Sequence, residues 1–185
     1  EIRSGYTKAI ITTHASNVFG VIVPVERLYA LCESYGLYLI IDAAQTAGVL
    51  PIDLKKMPNA CLCAAGHKSL YGPTGTGILV AAPGELPQTV IEGGTGSFSE
   101  DLTQPDLLPD RLESGTVNTV GICGLSAGID FVRKTGVSRI EAHERKLARF
   151  LHRQLGKNPN VELYTDCPQE GVHVPVISFN IKGMH

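Results

Sequence analysis

The stretch at residues 37–82, LYLIIDAAQTAGVLPIDLKKMPNACLCAAGHKSLYGPTGTGILVAA, decides how the rest of the chain is read. An apolar run at 37–41 stops at Asp42, and a small, apolar segment, Ala60–Ala65, stops at Gly66-His67-Lys68. A glycine-rich loop, 72–77, then leads into a third apolar run at 77–82. The pattern predicts strand, acidic loop, strand, lysine loop, strand, with the last two strands paired as an antiparallel edge on an otherwise parallel sheet. Asp42 and Lys68 then leave two strand ends that aim at one crevice, where open α/β sheets bind ligands. An ionised carboxylate at the end of a buried strand is costly without a partner, so a cation is expected opposite Asp42.

Upstream, AIITT at Ala9–Thr13 reads as a β-branched strand running into the polar loop His14-Ala15-Ser16-Asn17. VERLYALCESY at Val25–Tyr35 has apolar residues at helical spacing and stops at Gly36, a C-cap residue. Strand, helix and the 37–41 strand make a βαβ unit with a right-handed crossover and parallel strands, which brings Asn17 near Asp42. Residues 43–59 are too few for a full crossover helix, so 52–57 is at most a short helical turn.

Two readings compete for the acid and the amine. In the plainer one Asp42 caps a turn, Lys68 is a solvated loop residue and the glycines let the chain turn. In the other, Lys68 forms a Schiff base with pyridoxal 5'-phosphate and Asp42 keeps the pyridine nitrogen protonated, which makes the ring an electron sink.

Beyond the lysine loop, 92–113 is rich in Gly, Ser, Pro and Asp without a sustained period and reads as an ordered connector, with Leu102, Leu107, Leu108 and Leu112 as apolar anchors. Residues 119–134 and 139–155 read as two helices, the second with Ile140, Leu147, Phe150, Leu151 and Leu155 on one face. His143 and His152 are expected to be solvated. Residues 161–164 and 174–181 read as strands of a second, smaller sheet. The expected fold class is α/β, a mostly parallel sheet in a large part (1–118), followed by a helix and the start of a smaller α+β part (119–185).

Composition narrows the function classes. The 185 residues are 43% hydrophobic, enough for a substantial core, and a formal net charge of −2 provides no electrostatic reason for nucleic acid or an anionic membrane surface. No apolar run approaches the roughly 20 residues that span a bilayer. The five cysteines, Cys32, Cys61, Cys63, Cys123 and Cys167, include no CxxC pair and no zinc spacing, so reduced thiols in a cytoplasmic protein are expected and no metal site is. Gly66-His67-Lys68-Ser69 lacks the Walker spacing of a P-loop.

The combination of Asn17, DAAQ at 42–45, GHK at 66–68 and YGPTGTG at 71–77 resembles the class V aminotransferase group of pyridoxal-phosphate enzymes, most of all the cysteine desulfurases and selenocysteine lyases. EGGTG at 92–96 and PDRLESGTVNT at 109–119 are also similar to that family, so the resemblance runs from about Ile11 to the C-terminus. It implies that Lys68 is the catalytic Schiff-base lysine and Asp42 the partner of the pyridine nitrogen. It further implies that Asn17 and Gln45 hydrogen-bond the phenolic oxygen, that His67 reaches the phosphate, and that Thr116 does so from the other subunit of a homodimer. Read by themselves, Gln45 is equally a surface amide and Thr116 a helix N-cap. Ala65 stands where many desulfurases have a phosphate-binding serine, which removes one hydroxyl contact.

In that family an earlier segment supplies a phosphate loop and a ring-stacking histidine, and a later one supplies the sulfur-accepting cysteine and a carboxylate-binding arginine. None of the five cysteines matches the sulfur-accepting position, so the chain is expected to be a piece of a longer enzyme, inactive by itself. The resemblance implies an amino-acid substrate, L-cysteine, that is converted to alanine through an enzyme persulfide, and a sulfur-acceptor protein. Transamination and selenocysteine lyase action are alternatives within the same chemistry; a structural fragment without cofactor is the alternative from another class.

Overall fold

The computed structural model describes residues 2–81, 88–94 and 100–184. The described residues form nine α-helices and strands in the expected order, beginning with β1 (Ala9–Thr13), α1 (Val25–Tyr35), β2 (Tyr38–Asp42), β3 (Ala60–Ala65) and β4 (Gly77–Val80). The strands form one sheet in the order β1-β2-β3-β4. β1, β2 and β3 run parallel, and β4 returns antiparallel along β3 with Ala65 opposite Gly77. The fold is mixed α/β with a mostly parallel sheet. The expected strand at 77–82 ends at Val80, and Ala82 lies outside the described residues.

One face of this sheet carries the core. Leu39 and Ile41 of β2 are fully buried with Val25 and Cys32 of α1, Met57 and Ala43. Each large apolar side chain so buried contributes roughly 1.5–3 kcal/mol relative to its exposed state. α1 ends where Gly36 takes the left-handed conformation (φ 62°) and its N–H bonds back to the Glu33 carbonyl at 3.2 Å. The connection from β2 to β3 holds only one helical turn, the 3-10 segment Leu54–Lys56, whose N-cap Asp53 accepts from the Lys55 amide. Alternation along the strands sends Ile11, Tyr38, Asp42 and Leu79 to the opposite face, where all four are exposed.

Downstream come α2 (Thr119–Thr135), α3 (Val137–Leu155) and a two-stranded antiparallel sheet of β5 (Val161–Leu163) and β6 (Phe179–Ile181). α2 packs on the core of the first sheet through Leu125. No helix among the described residues is long and apolar enough to cross a membrane.

Several expectations need correction. β6 is much shorter than 174–181, because Val174 turns its amide to the Gly20 carbonyl (2.8 Å) in the first part of the chain, and Pro175 has no amide to donate. Three of the four connector leucines are not anchors: Leu102 is 95% exposed and Leu107 and Leu108 are exposed as well, whereas Leu112 is half-buried. That segment is held by polar contacts instead, with Gly115 N–H donating to the Gly93 carbonyl (2.9 Å) and Arg111 paired with Asp106 (2.9 Å). Residues 95–99 of the connector lie outside the described residues. His152 is not solvated, since its Nε2 lies 3.0 Å from the Thr165 carbonyl and ties α3 to the loop after β5. On α3, Ile140 is buried, but Leu147, Phe150 and Leu151 are about half exposed.

Candidate active site

The site is assembled at the carboxyl ends of β1, β2 and β3. Asp42 ends β2 opposite Thr13 of β1 and Cys63 of β3, and its carbonyl accepts from the His14 amide at 2.8 Å. The chain leaves each strand at the same edge, so the Asn17 loop, the Asp42–Gln45 turn and the lysine loop are neighbours by topology.

The acidic turn is tightly folded. Asp42 Oδ1 accepts from the Ala44 amide (2.9 Å), and the Thr46 and Ala47 amides donate to the Ala43 carbonyl (3.0 and 2.9 Å). Beneath it, buried His14 places Nδ1 2.9 Å from the hydroxyl of fully buried Thr46. Burial holds His14 below the usual histidine range, and the charge of Glu26 opposes that in smaller measure. A neutral His14 thus braces the turn that presents Asp42 and Gln45. The expected cation opposite Asp42 is absent among the described residues. The carboxylate is exposed, so solvent meets the charge and no partner is required.

Gly66 opens the lysine loop by donating its amide to the Thr76 carbonyl (2.9 Å) and closes it by accepting from Gly72 (2.8 Å). Tyr71 takes a left-handed φ of 57°, uncommon for a side chain of its size, and its ring meets Phe131 of α2 edge-on at 5.0 Å. The loop fits against a glycine stripe on α2. A Cβ at Gly121 would stand 2.8 Å from Thr76 Cγ2, one at Gly124 3.0 Å from Pro73 Cδ, and one at Gly128 2.7 Å from the Tyr71 carbonyl carbon. His67 and Lys68 are exposed at the tip of this clamped loop, and Lys68 Nζ makes no hydrogen bond or ion pair with the described residues.

Asn17 is exposed on its loop and Gln45 is half-buried on the acidic turn. Thr116 is exposed on the approach to α2 and is not the N-cap of that helix. Asn118 is, because its side chain accepts from the Gly121 amide at 3.0 Å. A crevice of about 450 Å³ opens on the exposed face, lined by Asp42, Cys63, Ala65, Leu79 and Glu113 among others. Burial, reinforced by Cys63 beside it, pushes the Cys61 thiol up, which disfavours its thiolate. Neither the α2 stripe nor His14 stood out in the sequence as part of a site. The spacing Gly121, Gly124, Gly128 was the available signal for the stripe.

The aminotransferase class-V family model matches residues 1–185. The chain belongs to the class-V aminotransferase family. It is 36% identical over 186 residues to a Pyrococcus abyssi protein named "Probable cysteine desulfurase", and 35% identical over 184 residues to a cysteine desulfurase of Salmonella agona. These alignments cover 96% and 97% of the chain, and 45% and 44% of those relatives. The chain thus spans just under half of their length. Among solved structures, the apo cysteine desulfurase of Thermococcus onnurineus superposes with a TM-score of 0.78 at 36% identity, over 96% of this chain and 45% of that one. Members of the class-V aminotransferase family are generally enzymes that use pyridoxal phosphate.

Proposed function

We propose that the intact protein is a pyridoxal-phosphate-dependent cysteine desulfurase and that this chain contributes its cofactor-holding half. The observation that carries the proposal is that neighbouring parallel strands lead into the turn-fixed carboxylate of Asp42, which lines an open crevice, and into the loop of Lys68, an exposed amine with no hydrogen bond or ion pair among the described residues. This donor set suits the cofactor, because it offers one group for covalent attachment and one for a ring nitrogen. Asn17 and Gln45 would donate amide hydrogen bonds to the phenolic oxygen, and His67 would reach the phosphate, joined by Thr116 from a second copy of the chain.

When bound, the cofactor supplies an electron sink that stabilises negative charge at the substrate α-carbon. Asp42 would accept the pyridinium N–H and keep that proton in place. Lys68 would be the attachment point, and its freed Nζ would be the base that takes up and returns the proton of the substrate α-carbon. The hydrogen bonds that close the loop, Gly66 with Thr76 and Gly72 with Gly66, would limit how far the backbone that carries Lys68 can move. The nucleophile that takes the sulfur would come from outside residues 1–185, and a sulfur-acceptor protein would receive it.

The test is alanine release from L-cysteine by the intact protein in the presence of a thiol reductant, with Lys68→Ala as control. Release that Lys68→Ala abolishes, along with a visible band that borohydride bleaches in the parent alone, supports the reading. A keto acid in place of alanine would make the protein a transaminase.

A further inference from the structure

The loop that carries Asn17 is held from the far end of the chain. Within the loop, Ser16 Oγ accepts from the Val18 and Phe19 amides (3.2 and 3.0 Å), and the Gly20 amide donates to the Ser16 carbonyl (3.0 Å). Across it lies the segment 172–178. The Ile22 amide donates to the Val172 carbonyl and the Val174 amide to the Gly20 carbonyl, both at 2.8 Å, and the Ser178 hydroxyl donates to the Val18 carbonyl. Gly20 is at φ 68°, and a Cβ there would stand 2.8 Å from the Val174 carbonyl oxygen and 3.2 Å from Val176 Cβ. The segment is itself anchored. The Tyr164 amide donates to the Ser178 carbonyl (2.9 Å), the Ser178 amide to the Thr165 hydroxyl (3.3 Å), and His152 of α3 meets the Thr165 carbonyl.

We propose that 172–178 is a strap that positions Asn17, with Ser178 as its positioning residue, so that the part of the chain built on α3 and the second sheet sets where the Asn17 amide is presented. This inference rests on the reading of Asn17 as a cofactor ligand. Its physical basis is that both residues flanking Asn17 are pinned, Ser16 by its own turn and Val18 by Ser178, while the Asn17 side chain stays exposed. A loop so short with both neighbours fixed has little freedom left for the residue between them. The contact joins positions separated by 160 residues, so it is a true tertiary link and no local turn.

The experiment compares the intact protein with Ser178→Ala, Ser178→Thr, Asn17→Ala and the Ser178→Ala/Asn17→Ala double variant. Amide hydrogen exchange of Ile22 and Val174 is read in the cofactor-free protein, and pyridoxal phosphate affinity by titration. Ser178→Ala is expected to speed exchange of both amides and weaken affinity roughly three- to tenfold, the loss of one hydrogen bond. Ser178→Thr should retain both properties, and the double variant should bind no worse than Asn17→Ala alone. Unchanged exchange in Ser178→Ala, or losses that simply add in the double variant, would overturn the strap. If Asn17→Ala leaves affinity unchanged while Ser178→Ala still speeds exchange, the cofactor role of Asn17 fails. The strap is then a structural seam with no positioning role.

Discussion

The lysine loop at 66–77 and the connector at 92–113 are both rich in glycine and proline, and both would pass as irregular chain, yet they are built on opposite plans. In the lysine loop, Gly121, Gly124 and Gly128 of α2 leave room for the backbone to approach the helix, and the loop is met from that side by Leu125, Gly128 and Phe131 as well. In the connector, polar pairs hold the described backbone while Leu102, Leu107 and Leu108 point outward. The contrast teaches that composition does not decide how firmly a loop is held. What decides it is whether a neighbouring element has a surface shaped to receive it.

Four substitutions or conditions would break or sharpen that contrast. The largest effect is expected from Leu125→Ala, which empties a 5% exposed position where α2 meets the core and the lysine loop, and should cost about 3 kcal/mol in urea unfolding of the intact protein. Gly128→Ala should follow at about 2 kcal/mol, because the new methyl has no space against the Tyr71 carbonyl. Circular dichroism in the aromatic region should report the shifted Tyr71 ring in that variant. An unperturbed signal together with unchanged stability would show that the stripe does not clamp the loop.

Acidification probes the acidic turn that His14 braces. Because burial lowers the His14 pKa from its ordinary 6.5, the unfolded chain binds the proton more readily than the folded one. The stabilising contribution is therefore fully present above about pH 6.5 and is lost as pH falls through that value toward the lower folded pKa. Unfolding midpoints across this window should drop on the acid side in the parent and less steeply in His14→Gln. The smallest effect is expected in the connector, where Leu102→Ser should stay within about 0.5 kcal/mol of the parent. A loss near that of Leu125→Ala would mean that the exposed leucines are covered in the intact protein.

Much of the architecture was legible. Ala9–Thr13, Val25–Tyr35 with its Gly36 cap, Ala60–Ala65 and the antiparallel edge each follow from signals within a few neighbouring residues: β-branching, helical spacing, a left-handed cap, a glycine loop. The candidate residues Asp42 and Lys68 stood out for the same reason, as charges interrupting apolar strands. What stayed hidden was pairwise. Nothing beside His152 announces that it meets Thr165, and nothing beside His14 announces Thr46, because each partner is many residues away and each polar group is satisfied only in three dimensions. Leu102, Leu107 and Leu108 of the connector misled for the mirror reason: an apolar residue wants burial, but only the surrounding fold can provide a surface.

The order of elements, the parallel sheet and the strand ends that carry Asn17, Asp42 and Lys68 were determined by the sequence alone, since hydrophobic periodicity and capping are local properties of the chain. The packing of the lysine loop onto the α2 glycines, the brace of His14 under the acidic turn and the strap across the Asn17 loop were decided only by tertiary structure. Each of these depends on the distance between residues far apart in sequence. Local propensity has no term for that distance; close packing and the need to pair buried polar groups supply it.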